Sequence, residues 1–179
     1  MAKLHGIVPL QRFEIIRDRI GAILAEELVN QATLTDDNLF NAPVFIERVI
    51  PFDKSDIPAL NVCLSKGDYN NKDVTSVDGT YVYNIDCYAS SPTRSDSRGD
   101  YAATSYLHRL LGVCRAVLEN PAYRTLGYAP PFNCRVYVNR LLIADPGRGD
   151  AGLNVMGRLE VIVRVPETVE LIDPILAGT

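Results

Sequence analysis

Side chains that could carry nucleophilic chemistry are few in this sequence. It contains two histidines, His5 and His108, and four cysteines. A cysteine nucleophile needs a histidine base within hydrogen-bond reach. On a predicted helix, Cys114 follows His108 by six residues, so the two side chains point to different sides. No HExxH, phosphate-binding glycine loop or GxGxxG motif is present, and the sequence predicts no catalytic residue and no enzyme.

Three aspartates, Asp68, Asp73 and Asp78, have the spacing that comes nearest to a metal site. Hard divalent cations take oxygen ligands, which carboxylates supply. However, the spacing does not match a calcium-binding loop, and Lys72 places a positive charge among the three. We interpret them as part of a solvated acidic loop and predict no metal and no cofactor. A small metal-dependent hydrolase or ligand-binding domain that uses Asp68, Asp73 or His108 is the distant alternative.

The cysteines are spread along the chain without metal-ligand spacing, and three of them lie in apolar, periodic stretches. Free buried cysteines behave as small hydrophobic residues, and disulfides are rare in reducing compartments. We therefore predict structural thiols in a protein that is made in the cytosol. The four residues are Cys63, Cys87, Cys114 and Cys134.

The composition is that of an ordinary globular domain. The chain has 179 residues, of which 47% are hydrophobic and 22% charged, enough for one domain with a single core. A net charge of −4 gives no general electrostatic attraction to nucleic acid, because that affinity comes from lysine and arginine at phosphates. No signal peptide and no apolar run of membrane-spanning length is recognisable.

Two helices are predicted from apolar residues that recur every three or four positions. The first begins at Pro9 and ends near Asn30, and its stripe runs from Leu10 to Leu28. The second begins at Asp100 or Tyr101 and ends at Glu119, before an Asn-Pro pair that stops it. The apolar stripe of the second helix comprises Tyr106, Leu107, Leu110, Leu111, Cys114, Val117 and Leu118.

Strands are predicted where polar and apolar residues alternate. Residues 57–64 and 80–89 form a central antiparallel pair, joined by a long polar loop over residues 66–79. Residues 44–50 lie between two prolines and predict a strand near a sheet edge. Two further strands are predicted at residues 133–143 and 156–165.

Because helices and strands occur in blocks without βαβ alternation, the sequence predicts an α+β fold. We expect a mainly antiparallel β-sheet with two main α-helices packed on one face. The single domain covers residues 1–165, with an N-terminal arm at residues 1–8. Residues 166–179 form a C-terminal extension that is apolar without regular periodicity. It either folds over its own core or is covered by another chain.

The central stretch resembles a known family. An apolar alternating block, Ile57-Pro58-Ala59-Leu60-Asn61-Val62-Cys63-Leu64, is followed by Gly67-Asp68-Tyr69, a polar loop and the strand at residues 80–89. Together with the first helix and residues 152–165, this pattern resembles the tail-terminator proteins of long-tailed bacteriophages, of the lambda minor tail protein U type. The chain departs from the pattern in its N-terminal arm, in an insertion around residues 123–150 and in its C-terminal extension.

The resemblance implies a structural virion protein that is assembled in the host cytoplasm. Such a subunit forms a hexameric ring, caps the tail tube, stops its polymerisation and offers a surface to the neck or head-completion protein. A sheath protein would be a further partner in a contractile tail, and DNA would pass through the ring without specific binding. Another neck or head-to-tail connector, or a tail tube protein, is the nearest alternative.

A closed ring needs two different surfaces on each subunit. We expect one in the long loop after Leu64, one on the exposed side of the strand at residues 156–165, and a further contact in the C-terminal extension. The interface candidates are Asp68, Tyr69, Lys72, Asp73, Arg158, Glu160, Arg164, Leu171 and Ile172.

Overall fold

Two long α-helices and a five-stranded β-sheet make up the described part of the chain in a computed structural model. Helix α1 spans Arg12–Thr35, and helix α2 spans Ser97–Glu119. Neither is long and apolar enough to cross a membrane. The structure describes residues 10–35, 38–71, 76–90, 97–128, 134–144 and 154–168.

The strands form one sheet in the order β1-β2-β3-β5-β4. β1 runs parallel to β2, whereas the other neighbouring strands are antiparallel. The predicted α+β fold with a mainly antiparallel sheet is confirmed. The strands are β1 (Val44–Ile46), β2 (Ala59–Asn71), β3 (Ser76–Ser90), β4 (Arg135–Ile143) and β5 (Asn154–Thr168).

The helix boundaries differ slightly from the predicted ones. α1 begins at Arg12 rather than at Pro9, and it continues to Thr35, beyond its predicted end near Asn30. Neither glycine nor proline occurs between Asn30 and Thr35, so nothing in the local sequence stops the helix there. α2 begins at Ser97, slightly before its predicted start, and ends where predicted.

Both helices pack on the same face of the sheet, and the core lies between the helices and the sheet. The predicted stripe of α1 is buried from Ile16 to Leu28, but Leu10 precedes the helix and is 63% exposed. α2 comes so close to β5 that a Cβ atom at Gly157 would lie 2.6 Å from Leu111 Cδ1. The sheet buries Leu60, Val62, Tyr81, Tyr83, Ile85, Cys87, Val136, Leu159, Val161, Val163 and Val165.

The predicted loop over residues 66–79 is wrong for most of its length. β2 and β3 continue through this polar stretch and pair to their ends, so that only residues 72–75 separate them. Polar side chains are compatible with a strand whose sides reach solvent. Gly67 and Gly79 flank the Tyr81 ring, where an added Cβ atom would lie about 3 Å from it. The two glycines therefore make room for an aromatic ring instead of forming a turn.

The predicted strand over residues 44–50 is an edge strand, as expected, but it ends at Ile46. Glu47 has a φ of 51°, a left-handed conformation that breaks the strand. Its backbone N–H still donates to the Val62 carbonyl oxygen (3.0 Å), and its carboxylate accepts from the Leu64 N–H (2.7 Å). The Glu47 carboxylate thus takes the place of the next backbone acceptor opposite β2, while the left-handed backbone at Glu47 turns the chain away from the sheet.

The sheet extends past the predicted domain boundary at Val165. β5 ends at Thr168 and pairs with β3 as far as Ser76. The Arg12 guanidinium donates to the Pro166 carbonyl oxygen, which links the start of α1 to this end of β5. Residues 166–168 therefore belong to the sheet. The remainder of the extension and the predicted arm at residues 1–8 lie outside the described residues.

Candidate functional site

We refer to the face of the sheet opposite the helices as the open face. Strand alternation and register place charged, amide and a few apolar side chains on it. The predicted interface residues of β5 are on this face, in rows with residues of the neighbouring strands. The side chains on this face include Asn61, Cys63, Lys66 and Asp68 of β2; Val82, Asn84, Asp86 and Tyr88 of β3; Arg135, Tyr137, Arg140 and Leu142 of β4; and Arg158, Glu160, Ile162 and Arg164 of β5.

Arg158 forms a two-bond ion pair with Asp86 of β3. Its Nε donates to Asp86 Oδ1 (2.5 Å), and its Nη2 donates to Oδ2 (2.8 Å). The Asp86 side chain is only 8% exposed and that of Arg158 is 37% exposed. The hydrogen bond to Asp86 raises the pKa of Arg158, although partial burial acts in the opposite direction. Arg158 therefore braces β5 against β3 within its own chain.

The Glu160 carboxylate is likewise bound within the chain, by two side chains of β4. It accepts hydrogen bonds from Asn139 Nδ2 (2.6 Å) and from Arg140 Nη2 (2.8 Å). The bond from Asn139 and, after it, the contact with Arg140 lower the pKa of Glu160, because both stabilise the carboxylate. An irregularity in β4 between Val138 and Arg140 brings these two donors to one carboxylate.

Arg164 has a different environment. It lies directly across the ladder from Arg135 of β4, and its guanidinium is 5.7 Å from the centre of the Tyr137 ring. Among the described residues neither arginine forms an ion pair. Both border a cavity of about 470 Å³, together with Asn70 and Asp78. We refer to this cavity as the arginine cleft.

At the other end of the open face, residues 47–57 form a cap segment over β2. The buried Asn61 side chain accepts from the Arg48 N–H (3.0 Å) and donates to the Arg48 carbonyl oxygen (2.9 Å). The Arg48 guanidinium lies 4.6 Å from the Phe45 ring centre and 4.3 Å from that of Phe52. It also pairs with Asp56 at 2.6 Å. These contacts hold the cap segment against the sheet.

Apolar side chains are exposed at two places near this end. In the cap segment, Val49 is 93% and Ile50 73% exposed, beside a cavity of about 390 Å³ that also reaches Tyr88. In β4, which is the last strand of the sheet, Leu141, Leu142 and Ile143 are 46%, 44% and 41% exposed. Grouped exposed apolar side chains mark interaction surfaces. Each place is therefore a candidate contact surface.

The carboxylates of Asp56 in the cap segment and of Glu160 in β5 have lowered pKa values, which make the free energy of unfolding depend on pH. A hydrogen bond from the Asp53 backbone and, after it, one from Arg48 lower the pKa of Asp56, and the pKa of Glu160 is lowered as well. The unfolded chain therefore binds more protons than the folded chain as the medium becomes acidic. The stabilisation is present above the unfolded-state pKa values, near 4, and is lost as pH falls through the folded-state values.

The double variant Asp56→Asn/Glu160→Gln is therefore expected to be less stable than the wild type at about pH 7, with the difference closing toward about pH 3. Guanidinium unfolding of both proteins at a series of pH values would measure this. A stability difference that stayed constant across the series would contradict the assigned hydrogen bonds.

The other predicted interface residues are dispersed. Asp68 lies on the open face and pairs with Lys66 at 3.0 Å, with both side chains more than half exposed. Tyr69 lies on the helix side of the sheet, against the Tyr81 ring at 5.9 Å, and is 55% exposed. Both belong to β2 rather than to a loop. The candidates outside the described residues are Lys72, Asp73, Leu171 and Ile172.

Sequence reasoning missed Arg135 and the exposed apolar residues. The signal for the latter was present, because Leu141, Leu142 and Ile143 are three consecutive apolar residues that break the alternation of their strand. Such a run on an edge strand indicates that both sides of the strand have apolar surroundings. Nothing in the sequence distinguishes Arg135 from other surface arginines, because its role depends on the strand register that places it opposite Arg164.

The residues considered for chemistry do not converge. His108 is exposed on α2 beside a depression of about 320 Å³ lined by Thr104, Ser105 and Arg109, whereas Cys114 is buried. Within the described ranges no three histidine, cysteine or acidic side chains are placed to hold a metal ion. His5 and Asp73 lie outside those ranges.

The cysteines are free thiols, as predicted. Cys87, Cys114 and Cys134 are buried, and Cys63 is half-buried. A hydrogen bond with Cys114, together with burial, raises the pKa of Cys87, and burial raises that of Cys134 to about 11. Thiols with raised pKa values are poor nucleophiles near neutral pH. Their environment is that of packing residues.

Comparison of the sequence with protein-family models and with curated proteins gave no match. The residues and surfaces described above therefore indicate what this chain can bind. The most informative of these are the arginine cleft and the exposed apolar residues of the cap segment and β4.

Proposed function

We propose that this protein is a ring-forming tail terminator of a long-tailed bacteriophage. In this role it is a structural virion subunit rather than an enzyme. It caps the tail tube, stops tube polymerisation and provides the surface that joins the tail to the head or neck. The resemblance of residues 57–89 to tail-terminator proteins supports this proposal, and the α+β fold is compatible with it.

Two different exposed apolar surfaces on one subunit give the main support for this proposal. One consists of Leu141, Leu142 and Ile143 on the edge strand β4, and the other of Val49 and Ile50 in the cap segment. A ring closes through a heterologous interface, in which one surface of each subunit contacts a different surface of the next. An unpaired edge strand with apolar side chains is otherwise a risk for aggregation.

The charge distribution is compatible with a ring through which DNA passes. With a net charge of −4, the subunit lacks the excess of lysine and arginine that binds DNA by counterion release. Its protein partners in this proposal are five further copies of itself, the tail tube protein, and a neck or head-completion protein. A sheath protein is added if the tail is contractile.

Light scattering and native mass spectrometry of the purified protein test the proposal. At micromolar concentration we expect a hexamer, alone or on the ends of tail tubes, and electron microscopy should show a sixfold ring at the tube end. Added to polymerising tube protein, it should shorten the tubes. A strictly monomeric chain that never caps tubes would refute the proposal, whereas long fibres formed by the chain alone would identify a tube protein instead.

A further inference from the structure

We infer that the arginine cleft of one subunit binds the carboxylates of residues 169–179 from the neighbouring copy in the ring. This inference rests on the proposed ring and names one of the contacts that closes it. The ligand class is an acidic, apolar peptide segment, and its source is a second copy of this chain.

The cleft has the electrostatic character of a carboxylate site. Arg135 and Arg164 lie directly opposite each other on antiparallel strands, and like charges in that arrangement are destabilising. Asp78 borders the cleft, but the cleft still has more positive than negative side chains. A guanidinium group binds a carboxylate through two parallel hydrogen bonds. An acidic ligand would therefore relieve the repulsion between the two arginines.

The C-terminal segment has the matching chemistry. Residues 169–179 contain Glu170 and Asp173 but no lysine or arginine, and Leu171 and Ile172 lie between the two acidic residues. In the next row of the open face Val82, Ile162 and Tyr137 lie side by side, with Lys66 at the β2 end of the row. The segment can thus place its carboxylates at the arginines while its apolar side chains cover that row.

Geometry favours the segment of a second copy over that of the same chain. β5 ends at Thr168, four residues beyond Arg164, or about 13 Å at the rise of a strand. A β-turn spans four residues, so a turn that begins at Thr168 would return Leu171 to the level of Thr168 and Asp173 to the level of Pro166. Glu170 would lie inside that turn. Such a hairpin would bring only the Asp173 carboxylate toward Arg164, whereas the segment of a neighbouring subunit can approach the cleft with both carboxylates.

A charge-reversal experiment in the full-length protein separates the two arrangements. The cleft variant carries Arg135→Glu and Arg164→Glu, and the segment variant carries Glu170→Lys and Asp173→Lys. Because each variant removes at least one charge-assisted bond per contact and adds repulsion between like charges, we expect each variant alone to form hexamers at least about tenfold to hundredfold more weakly. In an equimolar mixture every contact of an alternating ring pairs opposite charges, so assembly should return to within a few-fold of the wild type.

The controls distinguish this contact from general effects of charge. Arg115→Glu/Arg124→Glu makes the same change of charge at exposed positions on the helix side, and its hexamer affinity should stay within a few-fold of the wild type. Arg135→Gln/Arg164→Gln serves if the reversed cleft does not fold. Truncation after Thr168 keeps β5 complete and should weaken the hexamer to a similar extent, while thermal unfolding of the subunit stays cooperative.

Three results would overturn the inference. If the cleft and segment variants assembled like the wild type, the contact would not exist, although the ring itself would stand. If restoration occurred only when all four changes were in one chain, and not in the mixture, the segment would bind its own cleft. A wild-type chain that stayed monomeric at every concentration would refute the proposed ring together with this contact.

Discussion

The variant Leu142→Glu is expected to weaken hexamer formation at least about 100-fold while leaving the subunit folded. Leu142 is 44% exposed on the open face at the edge strand β4. Full burial of a leucine side chain contributes about 1.5–3 kcal/mol, of which the exposed part of Leu142 accounts for roughly half, and a glutamate at the same place adds the larger cost of removing its charge from water. Sedimentation velocity over a concentration series measures the change in affinity.

The subunit itself should tolerate this change. In the register, residue 142 lies opposite Arg158, so the new carboxylate has a cation nearby and its unfolding free energy should stay close to that of the wild type. Val29→Glu is the matched control, since Val29 is 64% exposed on α1, on the helix side. If both variants weakened the ring equally, the assignment of β4 to the interface would be wrong.

The variant Asp86→Ala is expected to lower the free energy of unfolding by about 2–3 kcal/mol. Removal of one partner from a buried ion pair costs about 3–5 kcal/mol because the remaining charge is left uncompensated. Here the cost is smaller, since the Arg158 side chain is 37% exposed and reaches water. Guanidinium unfolding monitored by circular dichroism measures it.

Two further variants test the physical reason. Arg140→Ala removes a partner of Glu160 that is 59% exposed, so it should cost less than about 1 kcal/mol. Asp86→Leu combined with Arg158→Met replaces both charges by apolar side chains and should recover most of the stability lost in Asp86→Ala. An Asp86→Ala protein as stable as the wild type would show that the pair does not brace β3 and β5.

Arg158 and Glu160, both predicted as interface residues, are each paired with other side chains of the same subunit. Sequence reasoning placed both on a solvent or partner face, which is correct for the side of the strand. Their charges, however, are bound by Asp86 and by Asn139 with Arg140. Arg164 lies opposite another arginine and forms no ion pair among the described residues, so its charge is available to a partner.

Hydrophobic periodicity alone was sufficient to predict the two helices and the parts of the strands that pack in the core. The stripe from Ile16 to Leu28 and the alternation of β5 from Leu159 to Val165 are both buried as predicted. The physical reason is local: a helix or strand with one apolar face has that face determined by residue spacing, whatever it packs against. The α+β class then follows from the order of the elements.

The tertiary structure alone decided which polar residues meet. The extension of β2 and β3 through residues 66–79, the Asp86–Arg158 pair and the arginine cleft all depend on strand register. Register is set by pairing between residues distant in sequence, and a shift of one position would move every side chain to the other face. The sequence therefore determined which residues form the core and the open face, and the sheet pairing determined which charges on that face are satisfied within the chain.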